Sequence, residues 1–379
     1  MSQRRLRFRR VALLLLLCLT LLTGCWDNRE PRRRAFVLGM AIDAGEEADV
    51  LEVSVQLPVP HAAKASGASG GGGGGAQEPQ YLLVRGSGPT LSEALERVQD
   101  RVSRSLFLGQ MRMILLSEQL SAQQVRAVVH GLRTETEIEE TVYMAVTEGR
   151  ADRVMEFEPP LERLPALYFN TVFEATRRST ITIPIQYWEF ARALETSGWE
   201  PILPLVRLTE TQELEVRGLG VFRGHELRGF LEGDAVEGYL WLVGQVSKRA
   251  LSIPTEEGYV GIRSMAGSRT VSVRFEDDEP VFTVHMLING EVGQAPPGVD
   301  DDLVLNQAGP LAEAVIRRQV GEAISLIQEE LRTDIFGFGK RLFYMYPRYF
   351  EGVDWEERFP EVRIESEIKL RLLRKGAES

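Results

Sequence analysis

The sequence predicts an α+β chain of more than one domain, with mixed or antiparallel sheets each packed with helices. Three observations predict it. Segments of period-two apolar alternation stand near both ends, at 50–57 (VLEVSVQL) and 361–373. Between residues 35 and 147 the elements run in the order βββαβαβ, which suits a mixed sheet covered by helices. The chain has 379 residues, 44% hydrophobic and 26% charged, enough apolar material for two or three cores.

The first element is not part of the fold. Arg4, Arg5, Arg7, Arg9 and Arg10 precede an apolar run from Val11 to Leu22, which ends in Leu22-Thr23-Gly24-Cys25. A basic start, a short apolar stretch and small residues at the cut describe a secretory signal. The run is too short for a spanning helix, which needs about 20 residues. Leu-Thr-Gly-Cys matches the bacterial lipobox, in which the Cys25 thiol takes a diacylglyceryl group and becomes the mature N-terminus. An uncleaved anchor that happens to contain a cysteine is the bland alternative. Either way the rest of the chain is tethered outside the cytoplasm, and two acyl chains would hold it stably where one would not. Residues 1–24 hold five arginines and no acid, so the net charge of −11 becomes −16 in what remains. That argues against nucleic acid and against adhesion to anionic lipid by general charge. Cys18 leaves with the signal, so acylated Cys25 leaves no thiol for a disulfide or a cysteine metal site.

Residues 35–43 and 50–57 read as strands, the second stopped by Pro58 and Pro60. Residues 61–79 contain six consecutive glycines, Gly70 to Gly75, and read as a flexible hairpin loop. It is either a partner-binding arm or a tolerated insertion. Residues 80–85 return as a strand. Thr90 with Glu93, and Ser121 with Gln124, are capping-box pairs that start two helices. Apolar strands follow at 111–117 and 141–147. Residues 151–200 read as mainly helical, with Tyr187, Trp188, Phe190 and Leu194 as core. Residues 216–231 read as a hairpin turning at Arg223-Gly224-His225. Asp234 reads as the N-cap of a helix carrying Tyr239, Leu240, Trp241 and Leu242. Further strands are expected at 259–265, 269–276 and 280–290, separated by turns at Gly267-Ser268 and Asp277-Asp278. A long helix over 309–331 presents Leu311, Val315, Val320, Ile324, Ile327 and Leu331 on one face.

Cys25-Trp26-Asp27-Asn28-Arg29-Glu30 resembles the start of the Ger(x)C family of spore germination lipoproteins. The likeness continues through Gly88-Pro89-Thr90, Glu93-Ala94 and Leu106-Phe107-Leu108-Gly109. In the family pattern a histidine commonly follows that glycine, where this chain has Gln110. The most specific stretch is Asp334-Ile335-Phe336-Gly337-Phe338-Gly339, then Tyr346-Pro347, Asp354-Trp355, Phe359-Pro360 and a closing strand. The resemblance implies three mixed α/β domains and a complex with two integral membrane subunits. It further implies a place on the outer face of the spore inner membrane and a nutrient-triggered start of germination. The expected division is a signal over 1–24, an N-terminal domain over 25–200, a small middle region over 201–245 and a C-terminal domain over 246–379. Trp26 either lies at headgroup level beside the lipid or packs on the first domain.

Nothing in the sequence favours an enzyme, a cofactor or a metal. The histidines, His61, His130, His225 and His285, are scattered, and no H-E-x-x-H occurs. Gly218-Leu219-Gly220 has the wrong spacing for a dinucleotide turn. Gly337-Phe338-Gly339-Lys340 lacks the rest of a P-loop. Phe336 and Phe338 read instead as apolar wedges locking a turn under the C-terminal sheet. Asp300-Asp301-Asp302 reads as an exposed acidic loop, and Glu156 and Glu158 as solvated. The one site residue expected is therefore Cys25, for lipid attachment, with no small-molecule ligand assigned. The competing reading is a lipoprotein solute-binding component of an importer, which would call for two doubly wound lobes.

Overall fold

The computed structural model describes residues 33–59, 80–159, 162, 164–179, 182–211, 213–245, 249–297 and 301–373. The signal segment 1–24, Cys25, Trp26, Asp300 and the glycine-rich loop 61–79 with His61 lie outside them. The chain is α+β, with helices packed on three sheets.

The stretch 35–43 is two strands rather than one. β1 (Arg34–Phe36) breaks before β2 (Gly39–Ala44) because each pairs elsewhere. β1 runs parallel to β5 (Ser105–Phe107) in a small sheet of its own. β2 enters a nine-stranded sheet with β3 (Leu51–Pro58), β4 (Tyr81–Gly88), β6 (Met113–Ser117) and β7 (Tyr143–Thr147). The parallel strands β2, β6 and β7 form its centre, and antiparallel pairs flank them. β6 and β7 are buried throughout, which is why they read as unbroken apolar runs.

Alternation along these strands divides the apolar residues between two faces. Met40, Ile42, Ile114 and Leu116 face α1 (Leu91–Gln99) and α2 (Ala122–Thr134). Ala41, Met113, Leu115 and Tyr143 face α3 (Ala151–Met155) and α4 (Pro165–Ser179). Ser121 and Gln124 form the complete capping box on α2, whereas only the Thr90 half forms on α1, where Glu93 pairs with Arg97.

β8 (Ile185–Gln186) leads into α5 (Tyr187–Glu195). β9 (Ile202–Leu208), β10 (Leu214–Arg223) and β11 (Glu226–Leu231) then extend the same large sheet, β9 lying parallel to β7. The division expected at residue 200 therefore falls between strands of one sheet. α6 (Gly233–Val243) leaves that sheet and packs on the following long helix. Its N-cap is Glu232; Asp234 sits in the first turn and binds Gln319 and Arg318.

The remaining sheet runs β12 (Arg249–Thr255), β13 (Gly258–Glu276), β14 (Glu279–Gln294), β15 (Arg363–Leu373). Asp277 and Asp278, both at positive φ, make the expected tight turn. Gly267-Ser268 does not turn: both stay paired, with Ile288 and Leu287, so β13 continues through them. β15 returns parallel to β14. α7 (Asp301–Ser325) covers this sheet and ends in a π-helical turn, Leu326–Leu331. It begins eight residues earlier than expected and contains Pro310. Asp301 and Asp302 thus open a helix rather than sit in a loop.

Candidate functional site

The C-terminal motif folds into one knot where the two large sheets meet. Asp334 is its centre, 4% exposed. Its Oδ1 accepts from the backbone N–H of Phe336 (3.1 Å), Gly337 (2.9 Å) and Phe338 (3.2 Å). Its Oδ2 accepts from Gly339 N–H (2.7 Å) and Trp355 Nε1 (2.9 Å). The loop folds back because a short carboxylate can cap the start of the next helix, α8 (Phe338–Met345). Burial pushes the Asp334 carboxyl up to about 6, against the pull of Gly339, Trp355, Phe338 and Gly337, whose donors favour the ionised form.

Around this carboxylate the aromatic rings of the motif stack. Phe336 lies 5.1 Å from Phe338, which lies 4.5 Å from Phe282 of β14. The wedges thus sit under the C-terminal sheet. Two short helices, α9 (Pro347–Glu351) and α10 (Trp355–Arg358), close the motif. Asp354 caps α10, and the Gln328 amide donates to the carbonyls of Phe359 (2.9 Å) and Val362 (2.8 Å).

The knot is joined to the N-terminal sheet through backbone. Glu200 N–H donates to Asp334 O (3.0 Å), and Lys340 N–H to Gly198 O (2.7 Å). Gly198 has φ +71°, and a Cβ there would lie 2.3 Å from the Gly339 carbonyl carbon. Only glycine satisfies both the left-handed conformation and the approach. The Glu200 carboxylate accepts from Gly224 N–H in the β10–β11 turn (2.6 Å), and burial raises its pKa. Two clefts flank this junction. One of about 280 Å³ is lined by Gly198, Glu200, Arg223, Trp355 and Glu356. One of about 580 Å³ lies between α5, α6 and α8.

A second buried carboxylate ties the other end of the large sheet. Asp43 on β2 accepts from Ala151 N–H (2.7 Å) and Asp152 N–H (3.0 Å), capping α3 from a distant strand. Burial pushes it up to about 6. Arg150 bridges Asp152 and Glu52, and Arg85 bridges Asp152 and Glu156. Glu156, read as solvated, is therefore ion-paired. Sequence reading missed Asp43; an acid closing an otherwise apolar strand was its only signal.

The histidines stay apart. His130 lies within α2, and His225 sits in the β10–β11 turn, its pKa lowered by burial and Arg126. His285 Nδ1 pairs with Glu367 (2.8 Å). Gly218-Leu219-Gly220 lies inside β10. Among the described residues no group of side chains is arranged to hold a metal ion, and no helix is long and apolar enough to cross a membrane.

Two family models match the chain in order. Residues 27–208 match "Spore germination protein N-terminal domain", and residues 217–376 match "Spore germination B3/ GerAC like, C-terminal". The chain is similar to spore germination protein KC of Bacillus subtilis (strain 168), 22% identical over 97% of this chain and 95% of that one. It is similar also to the putative spore germination protein YfkR of the same organism, 25% identical over 92% of each. The crystal structure of the GerBC protein shares the fold, with a TM-score of 0.59 at 17% identity, over 88% of this chain and 97% of that chain.

Proposed function

Since the chain belongs to the spore germination B3/GerAC-like family, we propose that it is a lipid-anchored, non-enzymatic subunit of a nutrient germinant receptor in the spore inner membrane. The observation that carries this reading is the match of both family models, in order, directly behind the Leu-Thr-Gly-Cys sequence. Cys25 carries the lipid, the chain lies on the outer face, and two integral membrane subunits are its partners. The chemistry at the junction supports a mechanical role. Asp334 and its five donors make a rigid loop, and the Gly198–Lys340 contact joins that loop to the large sheet by backbone. A displacement at either sheet is carried to the other with little compliance, because backbone hydrogen bonds and packed rings resist shear.

The test is affinity purification of the tagged chain from detergent-solubilised spore membranes, followed by mass spectrometry. Two integral membrane proteins in similar amounts are expected to co-purify. Cys25→Ala should leave the chain unlipidated, displace it from the membrane and impair nutrient germination. Recovery with a permease and an ATPase, or normal germination of the Cys25→Ala strain, would sink the reading.

A further inference from the structure

The larger cleft, about 580 Å³, falls within the size range of small-molecule sites, roughly 300–1,000 Å³. Apolar and aromatic side chains line it, among them Phe190, Ile202, Tyr239 and Phe336. Four cations line it as well: Arg192 from α5, Arg269 from β13, and Lys340 and Arg341 from α8. None of the four forms an ion pair with a described carboxylate. Elsewhere in this acidic chain arginines hold acids, as Arg85, Arg150, Arg207, Arg223, Arg274 and Arg358 do.

The cations in the cleft are held by other means. Lys340 Nζ lies 4.1 Å from the centre of the Trp199 ring, and Arg192 lies 5.4 Å from the same ring. Arg269 donates to Leu242 O (2.6 Å). Arg341 Nε is buried with no hydrogen-bond partner, an arrangement that is costly unless something accepts from it. The two acids of the lining are already engaged: Glu189 accepts from Gln186 N–H (2.9 Å) and Glu200 from Gly224 N–H (2.6 Å). Burial together with Arg192 lowers the Lys340 pKa, and burial together with Arg341 lowers that of Arg269. The lining thus sets four cations against two carboxylates that are held to backbone N–H groups, and a net positive charge faces an apolar floor.

We propose that this cleft binds a small organic anion. Its carboxylate or phosphate would be held by Arg192, Lys340 and Arg341, and its apolar body would lie against Trp199, Phe190 and Phe336. Guanidinium groups suit both head groups, since each offers a planar fork of donors. The site stands independently of the receptor reading, because it rests on the cleft alone.

Isothermal titration calorimetry of the full-length lipoprotein in non-ionic detergent tests it. The probes are 2-naphthoate, 2-naphthyl phosphate and the uncharged 2-naphthylmethanol. At least one anion should bind saturably at one site, about tenfold or more tighter than the alcohol. The stronger of the two anions identifies the head group. Arg192→Gln with Lys340→Gln should weaken that anion by about tenfold or more and leave the alcohol unchanged. Arg192 is exposed, so Arg192→Gln alone should melt with the parent while weakening binding in the same direction. Arg97→Gln, which breaks an exposed ion pair within α1, should change nothing. The proposal is overturned if neither anion binds saturably, if the alcohol binds as tightly, or if the double variant keeps full anion affinity.

Discussion

At the scale of single residues, two buried aspartates hold backbone in place: Asp334 accepts five hydrogen bonds and Asp43 two. Asp334→Ala leaves five donors without their acceptor. It should destabilise the chain by about 3–5 kcal/mol, whereas Trp355→Phe, which removes one donor, should cost about 1–2 kcal/mol. Chemical denaturation of the two variants beside the parent checks the ratio. The same carboxylates set a pH dependence. Asp43 and Asp334 are raised to about 6 in the folded state from 3.8, and Glu200 is raised too. Between those values the folded chain binds more protons than the unfolded one, so stability falls as pH rises through the window. His225, lowered by burial, acts in the opposite sense. So do Asp152, Asp234, Glu276, Glu279 and Glu365, whose lowered carboxyls matter mainly below the ordinary carboxylate range and so outside this window. The melting temperature is therefore expected to be higher at pH 5 than at pH 7; a lower one at pH 5 would contradict these assignments. Asp334 was visible as part of a motif, since four of its donors lie within five residues of it. The Trp355 donor and the Asp43 partners were not, because they come from 21 and more than 100 positions away.

At the scale of elements, helix α7 shows where periodicity misleads. The expected face ran through Leu311, Val315, Val320, Ile324, Ile327 and Leu331, of which Val320, Ile327 and Leu331 are buried, Val315 and Ile324 only partly, and Leu311 not. The buried face runs through Ala308, Ala312, Ile316, Val320, Ala323 and Ile327, and Leu311 is 44% exposed. At Ala323 the helix α6 approaches closely: a Cβ on Gly238 would lie 1.9 Å from Gln319 O and 2.9 Å from Ala323 Cβ. Gly238→Ala must therefore separate the helices and should cost about 3 kcal/mol or more. Gly321, on the same long helix, has open space around its Cβ position, so Gly321→Ala should stabilise by about 0.5–1 kcal/mol. Thermal melts of the pair should move in opposite directions. A large destabilisation by Gly321→Ala would mean that the helix faces are misassigned. Turn and cap chemistry was legible where it is local, as at Asp277-Asp278 and Ser121 with Gln124. Gly267-Ser268 misled because a long partner strand kept both residues paired.

At the scale of the whole molecule, a single apolar core runs from the α1 face of the large sheet through the junction to the C-terminal sheet. Unfolding is therefore expected as one calorimetric transition. Gly198→Ala, which forces the Gly339–Lys340 backbone away, should lower the melting temperature. It should also split the transition, with faster amide exchange at residues 334–340 than in β6 and β7. A variant that still melts in one step, with exchange at 334–340 unchanged, would show that the junction does not couple the two sheets.

From sequence alone followed the α+β class, most strands and helices of the described chain, and the family resemblance that the comparisons then showed; the export signal ending at Cys25 is an expectation of the same local kind. Each of these depends on patterns only a few residues long: a charge ahead of an apolar run, period-two alternation, a cap, a turn. The tertiary structure decided that the 214–231 hairpin completes the large sheet and that Gly238 and Ala323 meet at the α6–α7 contact. It also decided that Asp43 caps a helix more than 100 residues away, and that four cations from three elements share one cleft. Such partners have no fixed spacing along the chain. They are chosen by which surfaces pack together, and a periodicity along one segment carries no information about the segment it meets.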